Sequence, residues 1–201
     1  MTELLLATRN AKKLVELRRI LEAAGVTGIE VLGLGDVPEF AEAPETGATF
    51  EDNALAKATD AARATGIAAV ADDSGLEVDA LNGMPGVLSA RWSGKHGDDA
   101  GNLELLLGQL TDVPDERRGA AFVSAAALVR PDGAQTVVRG EWRGSVIAEQ
   151  RGSNGFGYDP SFVPEGGTRT AAELSAEEKD ADSHRGRALQ QLLPALRELA
   201  G

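Results

Sequence analysis

Ala71-Asp72-Asp73-Ser74-Gly75-Leu76-Glu77 sets three acids, a hydroxyl and a glycine directly after the apolar run Ile67-Ala68-Ala69-Val70. The run reads as a buried strand that delivers carboxylates to its end, with the alternating Val78-Asp79-Ala80-Leu81 beyond it. Carboxylates so placed are costly to bury without a cation or hydrogen-bond donors, so something should be bound there. Oxygen donors with no histidine or cysteine beside them suit a hard ion such as Mg2+, which takes one or two carboxylates and completes its shell with water and phosphate. An acidic turn that caps its own backbone uses the same residue types, so the neighbouring stretches must decide.

Upstream, Leu4-Leu5-Leu6-Ala7 is a short buried strand, and Leu14, Leu17 and Leu21 recur at helical spacing from Lys13 to about Ala24, where Gly25 stops the helix. Between them Thr8, Arg9, Asn10, Ala11, Lys12 and Lys13 form a polar, basic loop. Free N–H groups at a helix start favour an anion there, although surface lysines on a solvated loop are the plainer account. The glycines of a Walker loop are missing. Residues 31–45 read as a connection rich in Gly, Pro and acids. Thr49 caps a helix that runs to about Thr65 with Phe50, Leu55, Ala58 and Ala62 as its apolar stripe, and Gly66 ends it. Glu45, Glu51 and Asn53 are candidates for a second metal contact.

Downstream, residues 82–86 have turn chemistry, 87–92 read as extended, and His96 falls in a surface loop at 93–98. Leu103, Leu106, Leu107 and Leu110 mark a helix. Strands at 120–129, 136–139, 141–142 and 145–147 make an antiparallel meander around the turn Pro131-Asp132-Gly133. In Gly152-Ser153-Asn154-Gly155-Phe156-Gly157-Tyr158-Asp159-Pro160, glycines permit close approach of a ligand. Phe156 and Tyr158 offer flat faces and Asp159 an acceptor, although a tight turn into the strand 161–163 would use the same glycines. Two capping boxes follow, Thr170 to Glu173 and Ser175 to Glu178. Lys179, His184 and Arg185 then stand where they can act as donors near the start of a last helix, which Pro194 should kink or restart.

The 201 residues fit one domain, 1–201, with two lobes, and outer halves mixing strand and helix around a sheet-rich middle predict an α/β fold with a mixed central β-sheet flanked by helices. A net charge of −12 argues against nucleic acid or an anionic membrane as partner, and any phosphate site must be a local basic pocket. Absence of cysteine suits a reducing cytoplasm, and the short apolar start is too brief for a leader or a membrane span. With His96 and His184 as its histidines, the chain lacks a multi-histidine zinc site.

The order of Thr8-Arg9-Asn10-Ala11-Lys12-Lys13, Thr49-Phe50-Glu51-Asp52-Asn53-Ala54, Ala71-Asp72-Asp73-Ser74-Gly75-Leu76, Ser89-Ala90-Arg91-Trp92, Phe156-Gly157-Tyr158-Asp159-Pro160 and Ser183-His184-Arg185-Gly186 closely resembles the inosine/xanthosine triphosphate pyrophosphatase family. The likeness runs from Leu4 to Leu199. It implies a homodimeric, Mg2+-dependent hydrolase that converts ITP, dITP and XTP to the monophosphate and pyrophosphate, with the nucleotide cleft between two lobes. It implies Asp73 as proton acceptor and metal ligand, Ser74 beside it at the substrate, and residues 8–13 at the triphosphate. Phe156, Gly157, Tyr158, Asp159, Lys179, His184 and Arg185 match positions that hold the nucleotide. The family's first loop often carries glycine where Arg9 stands, and some members have an acidic ligand where this chain has Glu45.

Cleavage between the α and β phosphates needs charge neutralisation and an in-line water. Lys13 and the helix start would grip the leaving pyrophosphate, and Asp73 or a neighbouring carboxylate would orient the water. Asp72 falls on the opposite strand face and would support the site. Donors aimed at O6, such as backbone N–H groups and His184 or Arg185, would reject adenine. A regulator that binds modified nucleotides without cutting them is the rival reading. No Gly-x-Gly-x-x-Gly follows the first strand, which disfavours a dinucleotide oxidoreductase.

Overall fold

The computed structural model describes residues 1–41 and 44–201, with Asp180 by its backbone alone. Among them, strands β1 (Thr2–Leu6), β2 (Ile29–Gly33), β3 (Ala68–Val78), β4 (Gly119–Val129), β5 (Gln135–Val146) and β6 (Phe162–Pro164) form one six-stranded sheet in the order β2-β1-β3-β4-β5-β6. β1 runs parallel to both neighbours, with Leu4 opposite Val31 on one side and Ala68 on the other. β5 and β6 are antiparallel, Ser145 facing Val163. The sheet is therefore mixed, as the sequence predicts.

Parallel neighbours need crossovers, and helices α1 (Ala11–Ala23) and α2 (Phe50–Thr65) supply them. Asn10 caps α1, its Oδ1 accepting from the Lys12 N–H at 3.0 Å. That cap starts the helix at Ala11, ahead of the leucine stripe. Thr49 caps α2 by accepting from the Asp52 N–H at 3.1 Å, and Gly66 ends it at φ 71°. The remaining helices are α3 (Asp99–Gln109), α4 (Ala176–Asp182) and α5 (His184–Ala200).

The chain divides into two compact units, in line with the two lobes expected. The first takes residues 1–73, 124–140 and 187–201, and the second 74–123 and 141–186. In the first, Leu4 and Leu6 of β1 pack with Leu17 and Leu21 of α1 and with Leu192 and Leu196 of α5. Each such buried leucine contributes about 2 kcal/mol of apolar burial. In the second, Leu76, Leu106, Phe122, Trp142 and Phe162 form the core, with the Phe122 and Phe162 rings edge to face at 4.6 Å.

Several elements depart from the sequence expectation. Residues 29–33 are a strand, so the connection begins after Gly33; its residues 42 and 43 lie outside those described. β3 is continuous through Val78, which puts the acids in mid-strand rather than at a strand end. Residues 86–91 form a 3-10 helix, not extended structure. Ser89 explains this, because its Oγ accepts from the Leu76 N–H at 2.9 Å and donates to the Gly86 carbonyl at 2.6 Å, a local bond that favours a tight turn. The meander segments between 135 and 146 are one unbroken strand, and Pro194 sits inside α5 without ending it. Burial of Leu192, Leu193 and Leu196 on both sides of the proline offsets the lost hydrogen bond.

Candidate active site

Asp73 lies in mid-β3 with α2 packed against it. Asn53 Nδ2 donates to Asp73 Oδ2 at 2.9 Å, and the Lys57 ammonium lies 3.3 Å from Asp73 Oδ1. Asn53 and Lys57 are four residues apart on α2, so one helix face presents both donors to one carboxylate. The Lys57 ammonium also contacts Glu45 Oε1. Asn53 Oδ1 accepts from the Gly47 N–H at 2.8 Å, which ties the Glu45 loop to the same helix. A Cβ on Gly47 would lie 2.6 Å from Asn53 Oδ1, so this approach needs glycine. Glu45, Gly47, Asn53 and Lys57 help line a hollow of about 240 Å³.

Burial pushes the Asp73 carboxyl above its ordinary value; Lys57 and Asn53 pull it down, and Glu45 adds to the rise. For Lys57 burial acts downward, but Asp73, Glu45 and Asp72 outweigh it and hold the ammonium above its ordinary value. The second-contact candidates separate here. Glu45 joins Asp73 on one cation, Asn53 orients Asp73, and Glu51 is drawn away to Arg139 at 3.3 Å. No group of three or more His, Cys, Asp or Glu side chains converges as metal ligands among the described residues. Two carboxylates converging on one ammonium do suit a hard divalent ion, which takes few protein ligands and fills its shell with water and phosphate.

The basic loop precedes α1. Thr8 Oγ1 accepts from the Asn10 N–H at 3.2 Å, Arg9, Asn10, Ala11 and Lys12 are exposed, and Thr8 to Ala11 line a hollow of about 550 Å³ opposite residues 33–40. Lys13 turns inward, its ammonium 2.6 Å from Asp72 Oδ2. Asp72 is thus a buried support for the basic loop, as strand alternation suggests. Ser74, next on β3, is half-buried.

The glycine-rich stretch is a loop built around Asp159. The Asp159 side chain is 4% exposed; its Oδ2 accepts from the Phe156 N–H at 2.9 Å and from the Lys179 ammonium. A Cβ on Gly155 would fall 2.0 Å from that oxygen. Gly157 N–H donates to Asp99 Oδ2 at 3.0 Å. Phe156 is 73% exposed, with the Lys179 ammonium 5.6 Å from its ring centre. Two roles need correction. Tyr158 offers no face, because its ring is buried in the core and its hydroxyl donates to the Ser89 carbonyl at 2.8 Å. Asp159 is no open acceptor, because it staples its own loop. Burial also drives the Tyr158 phenol well above its usual pKa, with Asp99 adding to the shift. His184 and Arg185 open α5, and the His184 ring stacks on Phe122 at 5.2 Å.

The family model for the Ham1 family matches residues 4–195. The chain belongs to the Ham1 family. Similarity within it extends over the full length. A dITP/XTP pyrophosphatase of Nocardia farcinica is 70% identical over 200 residues, spanning 100% of this chain and 97% of that protein. A crystal structure of a nucleoside-triphosphatase / dITP/XTP pyrophosphatase from Mycobacterium abscessus superposes with a TM-score of 0.83 at 67% identity, covering 97% of this chain and 100% of that one. A HAM1 protein structure from Coxiella burnetii gives 0.89 at 42% identity, covering 98% and 100%.

Within this Ham1 chain, sequence reasoning missed Lys57 and Asp99. Lys57 was detectable as the residue one helical turn beyond Asn53. Asp99 carried no signal, since its partner is a backbone N–H 58 positions away.

Proposed function

We propose that the chain is a nucleoside triphosphate pyrophosphohydrolase that converts ITP, dITP and XTP to the monophosphate and pyrophosphate, clearing deaminated purines from the precursor pool. The observation that carries this is the whole-length likeness to relatives bearing the dITP/XTP pyrophosphatase name. Mg2+ is the proposed cofactor, held by Asp73 with Glu45; it would neutralise phosphate charge. The convergence of both carboxylates on the Lys57 ammonium supports that assignment.

The chain's own groups then divide the work. Asn53 fixes Asp73 Oδ2, so the carboxylate is held in one orientation from which it can accept the proton of an attacking water. Lys13 and the exposed basic loop that leads into α1 bind phosphate oxygens, helped by the positive end of the helix dipole. Phe156 offers an exposed ring to a purine, with Lys179 and the donors His184 and Arg185 assigned to the nucleotide. The working form is a homodimer in the cytoplasm, on the family resemblance. Among the described residues no helix is long and apolar enough to cross a membrane.

A substrate panel read by pyrophosphate release tests the reading. With Mg2+ the protein should cleave dITP and XTP much faster than dATP or dGTP, and chelation should abolish release. Asp73→Asn should keep the fold and lose about a hundredfold or more in turnover. Undiminished turnover in that variant refutes the assignment of Asp73, and nucleotide binding without pyrophosphate release favours a sensor.

A further inference from the structure

Lys57 stands where two carboxylates meet. Its ammonium contacts Glu45 Oε1, lies 3.3 Å from Asp73 Oδ1, and is 3.4 Å from the Asp72 carbonyl. The side chain is 25% exposed, against 12% for Asp73 and 32% for Glu45. Asp73 is held independently of Lys57 by the Asn53 amide, and the backbone of the Glu45 loop is tied to the same side chain through the Gly47 N–H. Asn53 is itself buried. The two carboxylates thus meet on a single ammonium, which gives the spot between them the charge of a cation seat.

We propose that Lys57 is a stand-in cation: without nucleotide it fills the two-carboxylate seat that the divalent ion takes in the working enzyme, so that the ion enters only together with the nucleotide. This rests on the reading of Asp73 and Glu45 as the Mg2+ ligands. A divalent ion arriving alone must displace an ammonium that loses two ion pairs and remains partly desolvated. An ion arriving on a triphosphate brings phosphate oxygens that give the displaced ammonium new charge-assisted partners. The same lysine thus keeps the carboxylates from repelling each other in the resting protein and weakens the seat for free metal.

The test is direct metal binding without nucleotide, with Mn2+ as the probe and the paramagnetic resonance of free Mn2+ as the readout. Lys57→Met and Lys57→Gln should bind Mn2+ at least about tenfold tighter than the wild type, since a positive charge within about 4 Å of the seat is removed. Adding Glu45→Gln to Lys57→Met should cancel the gain. Equal Mn2+ affinity in wild type and folded variants overturns the proposal, as does stoichiometric binding of Mn2+ by the wild type alone at micromolar protein. That second measurement stands even if the variants fail to fold by circular dichroism. Pyrophosphate release from dITP by the same wild-type preparation separates the two readings: release with unchanged Mn2+ affinity in the variants sinks the stand-in alone, whereas no release sinks the hydrolase.

Discussion

Lys13→Met tests whether the basic loop is held by Asp72. The pair is 2.6 Å long, with the Asp72 side chain 4% exposed and that of Lys13 23%. Breaking a fully buried pair costs about 3–5 kcal/mol, because the remaining charge is left without its partner. Lys13 is partly open to water, and Asp72 lies also in the field of Lys57, so about 2–3 kcal/mol is expected. For a chain of this length that lowers Tm by about 4–12 °C. Thermal and urea unfolding followed by circular dichroism measure it. Lys13→Met/Asp72→Asn should regain most of the loss, since no unpaired carboxylate is then buried, giving a coupling of about 1–3 kcal/mol in the cycle. Turnover should stay low in the double variant, because the ammonium proposed to bind phosphate is still gone. Strictly additive single effects would refute the pairing, and a double variant that recovered turnover would refute the phosphate role.

Tyr158 is the chain's sole tyrosine, so its titration is spectroscopically clean. Its folded pKa is raised, so its stabilising contribution is complete below the unfolded value of about 10 and falls as pH climbs above that. Tyrosinate absorbance should therefore rise only with alkaline unfolding; a reversible rise near pH 10 in the folded protein contradicts the burial. Phe156→Ala should leave Tm almost unchanged, given the exposed ring, while KM for dITP rises about tenfold through lost stacking of roughly 1–3 kcal/mol. An unaltered KM removes Phe156 from the base site. Gly155→Ala puts a methyl 2.0 Å from Asp159 Oδ2 at φ 77° and should cost about 1–3 kcal/mol in the loop, read as a fall in kcat/KM for dITP. Gly94→Ala, at φ 94° but with no atom within 4 Å, is the control and should leave kcat/KM unchanged.

The parts of the fold legible in the sequence are those fixed by local pattern. Leu4-Leu5-Leu6 is apolar without a break because β1 lies between two strands and is covered on both faces, and Thr49 and Ser175 announce their helices through their own side chains. β2 was illegible because Ile29-Glu30-Val31-Leu32 is short, bracketed by Gly28 and Gly33, and becomes a strand through hydrogen bonds supplied by β1. The acids of β3 looked like a strand end because carboxylates rarely continue a buried strand; here Lys13, Asn53 and Lys57 reach them from helices and make burial tolerable. Aromatic type alone did not separate Phe156 from Tyr158, two positions apart in one loop. The hydroxyl decides, because Tyr158 can enter the core only with an acceptor such as the Ser89 carbonyl waiting for it.

A chain with a net charge of −12 has to meet a strongly anionic nucleotide, and its assigned lysines bear on how it does so. Lys13 is paired with Asp72, Lys57 with Asp73 and Glu45, and Lys179 with Asp159. Binding a triphosphate at such residues is an exchange of partners: each ammonium that turns to phosphate leaves a carboxylate of low exposure behind, and that carboxylate needs another cation. For Asp73 and Glu45 the proposed replacement is the divalent ion, which would also answer the phosphate charge. Nucleotide affinity should therefore collapse when the metal is removed, and far more steeply than simple phosphate screening allows. Raising monovalent salt in the presence of Mg2+ should weaken binding only modestly, because the exchanged pairs lie mostly within the protein and are poorly screened.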